Sequence, residues 1–188
     1  MGTAILILGM VVFIGVHCVP MLPASRQQLV ARFGGEDAYR ARFALVAAVG
    51  LLLIIVGKAY AGYVHVYIPP TWGRHLTHLL VLIALILLPA AHMPNGIKRF
   101  TPHPMNWGVI LWGVGHLLAN GDLASIILFG GFALYAAVDI VSANARGATT
   151  VATRYPMKKN IMVVVAGVVT YGVLAFLHPW LFGVPAFY

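Results

Sequence analysis

Six long apolar runs, each broken off by prolines, glycines or charges, decide what this chain can fold into. They cover Ala4–Leu22, Phe43–Gly62, His75–His92, Met105–Asn120, Leu123–Ser142 and Ile161–Phe182. Each is near the roughly 20 residues that carry a helix across about 30 Å of hydrocarbon at about 1.5 Å per residue; the fourth is short, so its cytoplasmic end is expected to dip or to be extended by the preceding loop. In lipid an unpaired amide has no water to turn to, so helices or a closed barrel are the spanning solutions. No period-2 alternation points to a barrel. With 61% hydrophobic and 9% charged residues, the chain has too few charges to cover a soluble domain. The expected fold is all-α: a polytopic integral membrane bundle of six transmembrane helices, one domain over residues 1–188, with the lipid bilayer as partner. The first run lacks a basic n-region and an A-x-A site, so it is expected to be a retained helix rather than a signal peptide.

Breakers fall between the runs. Pro20 and Pro23 close the first, Pro69-Pro70 precede the third, Pro94-Asn95-Gly96 end it, and Pro102 and Pro104 lead into the fourth. Asn120-Gly121-Asp122 reads as a tight turn with Asp122 placed to cap the next helix. Residues Ser25–Phe33 read as a short amphipathic helix lying at the interface, with Arg26 and Arg32 set against Leu29, Val30 and Phe33.

The charge excess, twelve Lys/Arg against four Asp/Glu, sets orientation here instead of marking a nucleic-acid surface. Arg26, Arg32, Arg40, Arg42, Lys98, Arg99, Arg146, Arg154, Lys158 and Lys159 follow runs one, three and five; only Lys58 and Arg74 lie on the other side. Those three connections are expected to be cytoplasmic and both termini outside. The single cysteine, Cys18, excludes a disulfide framework, a Cys-only metal site and covalent haem attachment through C-x-x-C-H.

Eight histidines outnumber the four acids, and an imidazole inside a span needs a partner or a task. His17 and His116 are the deepest, roughly 8 Å and 16 Å from the cytoplasmic ends of their helices. Two histidines on different helices at overlapping depth suit the axial positions of a b-type haem. Gly108, Trp112, Gly115, His116 and Ala119 recur at helical spacing, as do Gly9, Phe13, Val16, His17 and Pro20. Small residues beside a histidine and an aromatic would let a flat macrocycle approach the backbone. The same pattern also serves plain helix packing, and both readings stay open at this point. His103, in His103-Pro104-Met105, is either an interfacial anchor or part of the site. His75 and His78 read as a wet interfacial pair, His178-Pro179-Trp180 as an aromatic-belt anchor, Cys18 as a small buried residue, and Asp139 as half of an ion pair with a basic loop residue.

The chain resembles the NnrU family of bacterial membrane proteins along essentially its whole length. The resembling stretches are Phe13–His17, Leu29–Gly34 with Tyr39-Arg40, Arg74-His75-Leu76, His103-Pro104-Met105 through Trp112 and Gly115–Gly121 to Phe129-Gly130, and His178–Pro185. The resemblance implies the bacterial inner (cytoplasmic) membrane and a link to nitrite and nitric oxide respiration (denitrification). The related 15-cis-ζ-carotene isomerase is a b-haem enzyme, and its ligand histidines fall on His17 and His116. The implied cofactor is haem b, with His17 and His116 on the iron and Phe13, Trp112, Gly108, Gly115 and His103 around it. An apolar lipid-like or gaseous ligand and either redox or cis–trans isomerisation chemistry follow from the same resemblance. The isomerase has a cysteine three residues before its second histidine; here that place is Gly113.

Two other functions compete. His103-Pro104-Met105-Asn106-Trp107-Gly108 is similar to the Arg-His-Pro-x-Tyr-x-Gly stretch of isoprenylcysteine-type methyltransferases, which use S-adenosylmethionine. Here Pro102 and Trp107 replace the arginine and tyrosine, and no paired glutamates follow. A non-enzymatic maturation factor for haem or for a reductase would instead hold haem weakly and pass it on.

Overall fold

The computed structural model describes residues 1–187. It is all-α among the described residues: α1 (Gly2–Cys18) with a 3₁₀ turn (Val19–Met21), α2 (Pro23–Phe33), α3 (Glu36–Ala59), α4 (Gly73–His92), α5 (Pro104–Ala119), α6 (Leu123–Ala145) and α7 (Met157–Phe182). A second 3₁₀ turn, Ile97–Arg99, lies between α4 and α5, and α6 contains a π-helical segment, Ile126–Gly130.

Five helices, not the expected six, are long and apolar enough to cross a membrane: Gly2–Met21, α3, α4, α6 and α7. The fourth expected span is α5, only 16 residues and therefore about 24 Å long. Pro104 fixes its first turn and Asn120 leaves the helical region at its end, so the chain cannot extend it in either direction. Instead α5 is held by its neighbours, packed between α4 and α6. Other boundaries move by a turn or two: α3 begins at Glu36 and α7 at Met157, where Pro156 starts the helix. The amphipathic segment is helical as expected; none of α2 is buried, and it rests against α3.

Two sub-bundles meet on α6. One is the antiparallel pair α1–α3; the other is α4 with α5 and α7. The first pair approaches closely because glycines face backbone. A Cβ on Gly9 would lie 2.6 Å from Ile54 N, and one on Gly50 would lie 2.8 Å from Phe13 N. Such close small-residue approach drives helix association where lipid supplies no hydrophobic force. Leu6, Met10, Ile54 and Ala124 form the tight core where α1, α3 and α6 meet.

Both described chain ends lie at one end of the bundle, which also carries Lys58 and Arg74 (the far end below). Gly2 abuts Tyr60, and Phe187 stacks on His78. The connections rich in arginine and lysine lie at the other, basic end. Residues 60–72 cross the far end without helix and are tied to the Asn120-Gly121-Asp122 turn. Val66 N and Tyr67 N donate to Gly121 O (2.9 and 3.1 Å), and Leu123 N donates to Val64 O (2.9 Å). The Tyr67 hydroxyl donates to Asn120 O (3.0 Å) and to Leu117 O.

Candidate functional site: a histidine and aromatic seam

The two deep histidines are prepared in the same way. His17 Nδ1 donates to Phe13 O, one helical turn back, at 2.6 Å. His116 Nδ1 donates to Trp112 O, again one turn back, at 2.8 Å. Since a carbonyl only accepts, the proton sits on Nδ1 and the lone pair on Nε2, the tautomer of a metal-ligating imidazole with its other nitrogen held. Among the described residues neither Nε2 makes a hydrogen bond to protein.

Each ring also stacks on a phenylalanine. His17 lies on Phe13 (centroids 4.2 Å, planes 26° apart) and meets the edges of Phe43 (5.0 Å) and Tyr135 (6.2 Å). His116 lies on Phe129 (4.4 Å, 19°) beside Trp112 (5.1 Å). A continuous seam joins the two: Phe13 to Phe132 at 5.5 Å, and Phe132 to Trp112 at 5.9 Å, both edge-on. Edge-to-face and offset pairs of this kind contribute about 0.5–1.5 kcal/mol each beyond area burial.

The sequence puts the two imidazoles roughly 8 Å apart in depth, and their contacts on α6 agree with that offset. The imidazoles contact different turns of α6, His116 at Phe129 and His17 at Tyr135. Six residues separate those positions, about 9 Å along the axis. Axial nitrogens on one metal are about 4 Å apart, two bonds of about 2 Å. As packed, Phe13, Phe132 and Trp112 fill the space between the rings.

The glycines divide. Gly108 and Gly115 face α4, where an added Cβ would lie 3.1 Å from Ala84 O and 3.3 Å from Leu80 Cβ, so both serve helix packing in this structure. Gly9 likewise packs on α3. Gly113 is the one turned toward the seam: a Cβ there would stand 2.6 Å from Phe129 O and 3.0 Å from Ala133 Cβ. Phe129 belongs to the π-helical segment, a form that often marks functional positions, and the absence of a Cβ at Gly113 admits its carbonyl.

His103 stands apart. It precedes α5 at the basic end, where its Nε2 and Asn144 Oδ1 are 2.7 Å apart, tying α5 to the end of α6. Asp139 accepts from Asn106 Nδ2 (2.8 Å) and faces Arg146 at 3.9 Å, the loop ion pair the sequence suggests. Cys18 is half-buried. His78 is joined to the Tyr171 hydroxyl (2.9 Å) and stacks on Phe187, while His178 Nδ1 donates to Val184 O (2.6 Å). Among the described residues no three His, Cys, Asp or Glu side chains gather as a metal site.

The NnrU protein family model matches residues 5–186. The chain belongs to the NnrU family. No curated protein and no solved structure matches this NnrU chain.

Sequence reasoning missed several parts of the NnrU seam. Phe129, Phe132 and Tyr135 recur every third residue on α6, a spacing that was readable as an aromatic face. It also missed a buried polar plug at the far end. Asp122 caps α6 as expected, accepting from Ser125 N (3.0 Å) and Ser125 Oγ (2.5 Å). Lys58 Nζ reaches both Asp122 Oδ1 (3.2 Å) and Ser125 Oγ (2.8 Å). Burial pushes the Asp122 carboxyl up, but the Ser125 hydrogen bonds and the Lys58 charge outweigh it and hold it below the usual carboxylate range.

Proposed function

We propose that this NnrU protein binds haem b within its helical bundle and serves redox or nitric oxide-linked chemistry. His17 and His116 are the donors, and Phe13 and Trp112 are the apolar walls. One observation carries the reading: both deep imidazoles have Nδ1 committed to a backbone carbonyl and Nε2 left as a lone pair in an aromatic setting. That donor chemistry fits haem ligation.

The pairing of both rings on a single iron does not fit this packing, given their offset of about 9 Å along α6. It requires Phe13, Phe132 and Trp112 to turn out of the seam. When bound, haem supplies a redox-active iron able to take a small gaseous ligand. The chain itself orients the imidazoles and keeps their surroundings apolar. Redox chemistry is favoured over a thiol-switched isomerisation, because Gly113 replaces the cysteine and its place holds no room for a Cβ.

The test is purification from cells supplied with haem, followed by oxidised and reduced optical spectra and a pyridine haemochrome. The expected result is a Soret band and a b-type haemochrome. Protein that stays haem-free sinks the reading. Haem that passes readily to an apo-acceptor makes the chain a maturation factor instead, and S-adenosylmethionine binding by calorimetry would point to the methyltransferase alternative.

A further inference from the structure

Near His17 lies a polar atom that the fold leaves without a partner. Tyr39 is 6% exposed, and its hydroxyl is buried with no hydrogen bond among the described residues. A buried donor left unmet is costly, so a ligand that accepts from it is favoured. Tyr39 sits in the first turn of α3, with its ring 6.2 Å from Phe43, which in turn lies 5.0 Å from His17. The hydroxyl therefore belongs to a residue two ring contacts from the His17 imidazole.

The surroundings favour an anion. The Arg26 guanidinium lies 5.1 Å from the centre of the Tyr39 ring. Arg26 and Arg40 share one carboxylate, Glu36, so this pair of cations is only half neutralised. From α2 through the first turns of α3 there are four arginines (Arg26, Arg32, Arg40, Arg42) against Glu36 and Asp37. The cover over Tyr39 is light: α2, which carries Arg26, buries none of its own residues. An apolar bundle lies beneath and a cationic helix above, so the matching ligand has an apolar body and an acidic head.

We propose that the Tyr39 hydroxyl and the Arg26 guanidinium receive the carboxylate of an amphipathic ligand seated beside His17. A carboxylate of haem and that of a fatty acid share this chemistry. The first source rests on the function proposed above; the second does not. The hydroxyl donates to a carboxylate oxygen, and Arg26 turns part of its charge from Glu36 toward it.

The test uses the full chain in detergent, with Tyr39→Phe beside the unsubstituted protein. Three probes are titrated: haem, haem dimethyl ester (which lacks free carboxylates) and oleate. Tyr39→Phe is expected to weaken haem binding about tenfold, or about 1.4 kcal/mol. It should leave the dimethyl ester unchanged and should not lower the thermal midpoint of ligand-free protein. If oleate binding depends on Tyr39 while haem does not bind, the carboxylate site stands and the haem reading falls. If haem binds the two proteins equally, the haem reading stands and this proposal is overturned. Failure to bind haem or oleate overturns both. A ligand-free Tyr39→Phe protein that melts lower shows that the hydroxyl already has an internal partner, which also overturns the proposal.

Discussion

Gly113→Ala is the substitution that tests the seam most directly. The added methyl would sit 2.6 Å from Phe129 O and 3.0 Å from Ala133 Cβ, both on α6, and the nearer contact is backbone that cannot swing away. Relief requires α5 and α6 to separate by several tenths of an ångström over that turn, which also parts His116 from the Phe129 ring it stacks on at 4.4 Å. Forced methylenes of this kind cost about 1–3 kcal/mol. Alanine's better helix propensity returns about 1 kcal/mol, leaving a net loss of about 0–2 kcal/mol. The control is Gly15→Ala on α1, where an added Cβ meets nothing within 4 Å and only the propensity gain remains. Denaturation in a detergent–denaturant series, followed by far-UV circular dichroism and by tryptophan emission, measures both variants. Gly113→Ala is expected to unfold first, with Trp112 emission changed before unfolding because its neighbours Phe129 and Phe132 shift. Equal stability of the two variants would refute the close approach of α5 to the π-helical turn.

The remaining predictions concern the polar plug and the histidines. The Asp122 carboxyl is held below its unfolded value, so its contribution is present above the ordinary carboxylate range and is lost as pH falls through the depressed folded value. Stability in detergent should therefore fall on acidification below about pH 4, and Asp122→Asn should flatten that dependence. Lys58→Met leaves Asp122 and Ser125 without their cation, and the expected loss is about 1–3 kcal/mol in the same denaturation assay. In haem-loaded protein, His17→Ala and His116→Ala should each alter the Soret band or abolish it, whereas His178→Ala should leave the spectrum unchanged. An intact spectrum in both of the first two would remove them as donors.

The helices were legible because prolines, glycines and charges stop the apolar runs at fixed places. Asp122 was readable as a cap because the Asn120-Gly121-Asp122 turn precedes a helix directly, and the side chain does accept from Ser125 N. The number of spanning helices was not, since Met105–Asn120 is mostly apolar and its shortness, 16 residues in α5, is what separates it from the membrane spans. Periodicity also placed Gly108 and Gly115 near His116, but it could not tell which neighbour each glycine meets. That depends on α4, distant in sequence. The offset of His17 from His116 was legible, since counting along each helix puts them roughly 8 Å apart in depth. Tyr39 was visible only as part of a family pattern, because an unmet hydroxyl is a property of packing.

The arrangement on α6 has a mechanical consequence. The α1–α3 pair and the α4–α5–α7 group are joined chiefly through this one helix. Any sliding of one group past the other must be absorbed by the interleaved rings, since flat side chains yield more easily than apposed glycine backbones. Strain applied at either end of the bundle would thus pass through the seam that holds both imidazoles.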